Sequence, residues 1–475
     1  MSTTSADVLP SRAVRAVVAG LACSLALTAC SGSEPDDPPS AAPSDAASGA
    51  ATPVPPDLLE AFGRVLQARA AALLDGDLAA FRRGVARRAG FRAEQETYFD
   101  NLQQLPLATV SYRVDPGSLV RRGDAYWVAV HLSLQLEGYD TAPVESVDRY
   151  RFSASRKDAE RFVLSSVQDA AWEERQEVRP QPWDLGPVEV REGAGVLGIF
   201  DAGSIGDAEP LLRSVEEGAA DVAVRVPYPW DARVVVYALS DPTFLSTVDD
   251  VPGGDPEVLD GLTFPVPTAP GSPTVASTRF LLSPAMVGRA GPERDRLVRH
   301  ELTHVAMGQL DDQAPLWLSE GLAEYVSVQS LAPEDRRIER GALAAAEDGV
   351  DGLPADDTFN DGDSAVHYGL SWWACEYVAR TYGESVLWSL VDQLAAPGAD
   401  ADQVVTTALG IGPRQLARRG ARLLIATFDP AFLEPKPSAT PSPSATPSAA
   451  PSAGPSTGVP TPAATAPTGP TGAAR

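Results

Sequence analysis

Two of the four histidines in this chain stand one helical turn apart, in the segment Arg299-His300-Glu301-Leu302-Thr303-His304-Val305. No other feature constrains the fold as tightly. On an α-helix, positions four apart differ by about 40° of rotation and ~6 Å of rise, so both imidazoles leave one face. That spacing lets two ring nitrogens share a zinc ion at about 2.0–2.1 Å each. Glu301 sits beside His300, where it can reach a water on the metal without ligating the metal itself. Zinc lowers the pKa of such a water towards ~7, and a carboxylate takes its proton as it attacks a carbonyl. With so few histidines to place, the pattern is rarely a coincidence. The plain alternative is a helix carrying two surface histidines.

A zinc ion of this kind needs a third protein ligand and one open position. The segment Pro315-Leu316-Trp317-Leu318-Ser319-Glu320-Gly321-Leu322-Ala323-Glu324-Tyr325 reads as a second helix, with Pro315 near its first turn. Gly308 and the polar stretch 309–313 supply a turn between the two helices. Glu320 and Glu324 then project from one face of a helix that returns beside the first. Glu320 is assigned as the third ligand. Glu324 is placed behind it, accepting the second ring N–H of a ligand histidine and fixing its tautomer. The reverse assignment, or a solvated Glu324, is the alternative.

The two ends of the chain do not belong to the fold. Arg12 and Arg15 precede an apolar run from Ala16 to Ala29, the layout of a signal peptide over 1–29. The run is shorter than the ~20 residues a spanning helix needs. It closes on Leu27-Thr28-Ala29-Cys30, which resembles the bacterial lipobox, in which the cysteine is acylated. The expectation is an extracytoplasmic protein, lipid-anchored to a bacterial cell membrane through Cys30. Residues 30–56 form a Ser/Ala/Pro/Asp tether. Residues 434–475 hold 11 prolines among Ser, Ala and Thr and almost no charge, and cannot bury enough apolar surface to order themselves. The three cysteines, Cys23, Cys30 and Cys375, rule out a disulfide scaffold. Cys375, beside Trp372, Trp373 and Ala374, reads as a buried, inert thiol. A net charge of −26 excludes a nucleic-acid partner.

Between the ends the chain reads as α+β in two parts. Leu58, Leu59, Phe62, Val65, Leu66 and Leu73 have helical spacing, and a second helical stretch runs to about Gln104. Tyr126, Val128, Val130, Leu132, Leu134 and Leu136 alternate with more polar neighbours, as one face of a sheet does. Further strands are expected near 107–114, 147–154 and 161–168. Helices followed by antiparallel strands over 57–183 resemble, in element order, the cystatin-like or NTF2-like cone. His131 falls on the polar face of the long strand and reads as a surface residue. Trp183–Pro187 reads as a boundary. The second domain, 187–433, has strand-like runs at 188–190, 196–200 and 233–239, a helix near 207–220, a Pro/Gly-rich loop at 251–274 and a short strand at 278–282. A small mixed sheet followed by a mostly helical part is the expected architecture.

His300-Glu301-Leu302-Thr303-His304 together with Trp317-Leu318-Ser319-Glu320-Gly321-Leu322-Ala323 resembles the gluzincin metallopeptidases, the MA-type group that shares an aminopeptidase-like catalytic half. The similarity covers about residues 278–390, and the N-terminal part lies outside it. In that group the glutamate of the second segment is the third zinc ligand, which here is Glu320. The resemblance also implies a tyrosine at the start of a later helix, aimed at the metal to steady an oxyanion. In Val366-His367-Tyr368-Gly369-Leu370-Ser371 that residue is Tyr368, with His367 and then Tyr325 as the other candidates. It implies as well that the strand before the zinc helix, Thr278–Leu282, is an edge on which an extended substrate lies. The spacing from His304 to Glu320 is shorter than in the aminopeptidases, and no Gly-x-Met-Glu-Asn segment is present. An endopeptidase acting on a peptide or protein substrate is therefore expected. The alternatives are an envelope scaffold with an idle zinc site and a zinc amidase acting on cell-wall material. Oligomeric state is not legible.

Overall fold

The computed structural model describes residues 56–155, 158–247 and 260–428. The expected signal peptide, Cys30, the tether up to residue 55 and the tail at 434–475 lie outside these residues. No helix among the described residues is long and apolar enough to cross a membrane.

Helix α1 (Pro56–Leu74) is followed by α2 (Leu78–Arg83) and α3 (Ala89–Leu102). Phe62, Leu66 and Leu73 form the buried stripe of α1, as helical spacing requires. They pack on an antiparallel sheet with the strand order β1 (Leu107–Val114), β3 (Ala125–Leu136), β4 (Val144–Ser155), β5 (Asp158–Ser166); short β2 (Val120–Arg122) pairs with β3. The Phe62 ring stacks on Phe152 of β4 with centroids 4.1 Å apart. Val128, Val130, Leu132, Leu134 and Leu136 are buried on one face of β3, the alternation read in the sequence. His131 on the other face is half-buried, its Nδ1 2.8 Å from Glu145. Two short helices, α4 (Ala170–Arg175) and α5 (Pro182–Leu185), lead out of this half.

The second sheet has the order β6 (Glu189–Glu192), β7 (Val196–Phe200), β8 (Val234–Ala238), β10 (Val275–Leu282), β9 (Gly261–Pro267). Helix α6 (Ala208–Arg225) connects β7 to β8, which pair in parallel. The runs Val-Leu-Gly-Ile-Phe of β7 and Val-Val-Val-Tyr-Ala of β8 are apolar throughout because both faces of the sheet are buried. Leu197, Ile199, Val235, Tyr237 and Leu281 join the apolar core of the N-terminal half. Val196, Phe200, Val234, Val236 and Phe280 pack into the helical core on the opposite side.

One expectation is corrected here. Thr278–Leu282 is not an edge strand: it is the end of β10, which lies inside the sheet, parallel to β8 and antiparallel to β9. The edge is β9, within the stretch read as a Pro/Gly-rich loop. Pro265 and Pro267 obscured it, yet an edge strand tolerates proline because a missing N–H on its outer side breaks no ladder. Residues 251–259 of that stretch lie outside the described residues.

The helical part follows in order: α7 (Pro284–Val287), α8 (Pro292–Met307), α9 (Gln309–Gln313), α10 (Leu316–Ser327), α11 (Arg340–Asp348), α12 (Ser364–Tyr382), α13 (Glu384–Leu394), α14 (Ala401–Leu409) and α15 (Pro413–Thr427). Cys375 of α12 is a buried free thiol, and burial pushes its pKa up.

A buried ion pair fastens β10 to the turn after β3. Arg279 Nη2 donates to Asp140 Oδ1 at 2.7 Å, and both side chains are almost fully enclosed. Asp140 also accepts from Ser277 Oγ and from the Leu136 N–H, while Arg279 Nη1 donates to the Tyr237 hydroxyl at 2.6 Å. Removing one partner of such a pair leaves an uncompensated buried charge, which costs about 3–5 kcal/mol. Asp140→Asn, which keeps an acceptor for Leu136, is expected to lose about 3 kcal/mol in urea unfolding, and adding Arg279→Met should recover most of that loss.

Candidate metal centre

Helix α8 starts after Gly291 with Pro292 in its first turn and acidic Glu293 and Asp295 near its positive end. It stops at Gly308, whose φ of 57° is a left-handed value suited to glycine. From Val298 to Met307 every residue is buried, so the helix cannot turn about its axis. Arg299 Nε donates to the Ser327 carbonyl at 2.7 Å and ties α8 to the end of α10. Helix α10 in turn crosses α12 at Gly321, where a Cβ would stand 2.6 Å from the Ser371 carbonyl oxygen. Only glycine permits that approach, and it sits directly after Glu320.

These contacts bring His300, His304 and Glu320 together as a potential metal-binding triad. The two Nε2 atoms are 3.2 Å apart, and Glu320 Oε2 lies 3.2 Å from that of His300 and 3.4 Å from that of His304. A tetrahedral centre with bonds of about 2.0–2.1 Å places ligand atoms roughly 3.3–3.4 Å apart. The triangle fits. Glu320 Oε2 is buried and makes no hydrogen bond.

The outer nitrogens explain why the inner ones converge. His304 Nδ1 is 3.0 Å from both carboxylate oxygens of Asp311. His300 Nδ1 is 3.3 Å from Glu324 Oε1, whose other oxygen accepts from Arg296. At His304 the hydrogen-bonded carboxylate holds the proton on Nδ1 and leaves the Nε2 lone pair free, while at His300, whose Nδ1 makes no hydrogen bond, the Glu324 charge favours the same tautomer. Two lone pairs and a carboxylate oxygen therefore meet at one point, where only a cation can satisfy all three. In the metal-free chain protons take that role. Burial lowers the basicity of His300, but Glu320 and Glu324 outweigh it and push the pKa up to about 9. His304 is likewise raised, with Asp311 and Glu320 prevailing over burial. Glu320 and Glu324 shift down against the effect of burial, Glu324 to about 2, held by the histidines and by Arg296.

Glu301 is buried on the side of α8 that faces β9. Its Oε2 accepts from Thr263 Oγ1 at 2.7 Å. At Gly261 a Cβ would come within 2.8 Å of Glu301 Oε1, so β9 opposes the carboxylate with bare backbone there. Burial raises the Glu301 pKa.

Tyr368, at the start of α12, places its ring 6.1 Å from that of His300 and its hydroxyl against Glu320. Burial, then the surrounding carboxylates, raise its pKa and keep it a donor. Its ring packs edge-on to Phe359 at 5.2 Å. His367 donates Nδ1–H to the Phe359 carbonyl at 2.8 Å, which fixes the start of α12. Tyr325 is buried on another face of α10, within electrostatic reach of Glu376 and Glu384 rather than of the triad.

The sequence reading missed Asp311, Arg296, Thr263 and Ser319, which donates to Asp311. Arg296 lies one helical turn before His300, a spacing that could have pointed to it. Asp311 sits in α9, within the stretch expected to be a turn after His304, and Thr263 lies on the unrecognised edge strand.

No model of a known protein family matches this chain, and no curated protein matches it.

If Asp311 holds the tautomer of His304, Asp311→Ala is expected to weaken metal affinity by about 10–100-fold without unfolding the protein. Competition with a chromogenic chelator, alongside far-ultraviolet circular dichroism, measures both.

Proposed function

We propose that this chain is a zinc metallopeptidase of the gluzincin type, an endopeptidase held outside the cytoplasm by a lipid on Cys30. The observation that carries the reading is the triangle of His300 Nε2, His304 Nε2 and Glu320 Oε2 with Glu301 beside it. A structural site would have no use for a buried carboxylate that neither ligates nor pairs with a cation.

When bound, zinc supplies Lewis-acid polarisation of the scissile carbonyl and a lowered pKa for the water it holds. Glu301 takes a proton from the attacking water and returns it to the leaving amine nitrogen. Thr263 holds the carboxylate by one oxygen and keeps it aimed from α8. Tyr368, protonated at neutral pH, donates to the oxygen on which negative charge develops. The outer side of β9, beside Glu301, is the edge available for an extended substrate backbone.

The protein purified without added metal is expected to carry about one zinc per chain by mass spectrometry. Less than about 0.2, with no uptake on titration, contradicts the assignment. Glu301→Gln should retain zinc and lose about 10²–10⁴-fold in peptide cleavage. If wild type and Glu301→Gln are equally silent on a broad peptide library while zinc is bound, the site is an idle one on a scaffold. If cell-wall amides are cleaved instead, the enzyme is an amidase.

A further inference from the structure

Strand β4 carries a carboxylate where its pattern calls for an apolar residue. Val144, Ser146, Asp148, Tyr150 and Phe152 pair with Leu134, Leu132, Val130, Val128 and Tyr126 of β3 and share the face that packs inward. Asp148 stands in the middle of that row, and among the described residues it has no hydrogen-bond or ion-pair partner. The row forms one wall of a cavity of about 520 Å³, a size suited to a small ligand. Leu134, Asp148 and Tyr150 line it from the sheet, Arg69 and Tyr98 from α1 and α3, and Trp183 from α5.

The cavity has two electrical ends. At one, where Arg179 also lines the cavity, Asp148 lies within electrostatic reach of Asp184 and Glu173, and none of the three carboxylates is in an ion pair among the described residues; burial, then these neighbours, push the Asp148 pKa up to about 7. At the other, the Arg69 side chain belongs to a residue only 4% exposed. Its Nη2 donates to Gln95 Oε1 at 2.6 Å and its Nε to the Tyr112 hydroxyl at 3.2 Å. Its Nη1 is buried and has no hydrogen-bond partner. The Tyr150 hydroxyl lies between the ends, within electrostatic reach of both Arg69 and Asp148. A buried cation and a half-buried carboxylate, neither in an ion pair among the described residues, destabilise the fold. Neither belongs to the metal centre or to the ion pair that joins the two halves.

A molecule with opposite charges at separated ends satisfies both groups at once. We infer that this cavity binds a small zwitterion with its ammonium and carboxylate far apart, the chemistry of a short peptide. The ammonium sits among Asp148, Asp184 and Glu173, the carboxylate accepts from Arg69 Nη1, and the stem lies along Leu134 and Trp183. The inference does not depend on the metal-centre reading.

Isothermal titration calorimetry on the full folded chain tests it, with 6-aminohexanoate and triglycine as zwitterions and hexylamine and hexanoate as singly charged controls. Each zwitterion is expected to bind at least about ten-fold more tightly than either control. Asp148→Asn keeps the shape and removes the unpaired charge. It should fold with an unchanged or higher thermal midpoint, lose at least about ten-fold in affinity for both zwitterions, and leave hexanoate unaffected. Arg69→Gln should weaken hexanoate and the zwitterions but not hexylamine. Absence of heat from both zwitterions at about 10 mM overturns the inference. So does hexylamine binding as tightly as 6-aminohexanoate. Triglycine binding that survives Asp148→Asn places the peptide elsewhere and overturns it equally.

Discussion

A carboxylate beside the outer nitrogen of each imidazole organises the candidate metal centre. Asp311 and Glu324 each sit beside an Nδ1, so both Nε2 lone pairs turn inward towards Glu320. Among the groups at this point, Glu301, Asp311, Glu320 and Glu324 bring four carboxylates against a single guanidinium, Arg296. The raised basicity of His300 and His304 offsets part of that imbalance, and a divalent cation would offset it in place of their protons. The surrounding fold makes the imbalance rigid. Helix α8 is enclosed from Val298 to Met307, and Gly321 lets α10 come close enough to α12 for Glu320 to reach the histidines. A looser scaffold would let the carboxylates turn to water.

How much of this was legible in the sequence follows from which contacts are local. His300, Glu301 and His304 share one helix, and Glu320 and Glu324 share the next, so helical period alone sets their faces. Tyr368 needed a family resemblance, because nothing between residues 325 and 368 fixes where α12 returns. Asp311 was hidden in a polar stretch whose composition reads as a turn but which forms the short helix α9, and an acidic residue there has a ready explanation as a solvated group. Thr263 was hidden for another reason. Pro265 and Pro267 give β9 the composition of a loop, and its strand conformation depends on β10, which supplies the whole ladder on its inner side. The apolar runs of β7 and β8 were recognisable as strands, but not that one face would meet the N-terminal half. Neither run alternates, since each is buried on both sides.

Strand β10 shows how the two halves constrain one another. Its residues alternate in allegiance. Arg279 and Leu281 face the N-terminal half, through Asp140 and the shared apolar core. Phe280 and Leu282 face the helical core that carries the histidines. Phe280 also lies opposite Thr263 in the ladder with β9, and Thr263 is the residue that holds Glu301. The position of the Glu301 carboxylate is thus set by an edge strand, and that strand by β10.

It follows that the N-terminal half is part of the support for the candidate site rather than an appendage beside it. Without it, Leu197, Ile199, Val235, Tyr237 and Leu281 would face water together, and Arg279 would lose Asp140. An apolar face of that extent favours burial strongly at about 25 cal/mol per Å², and a sheet deprived of it would twist or pair elsewhere. The strand displaced first is β9, since among the described residues its only ladder partner is β10. Displacing β9 frees Glu301 from Thr263 while leaving the triad on α8 and α10 intact. The triad and Glu301 therefore rest on different parts of the fold. The first is secured by helix packing. The second reaches back, through one strand, to the N-terminal half.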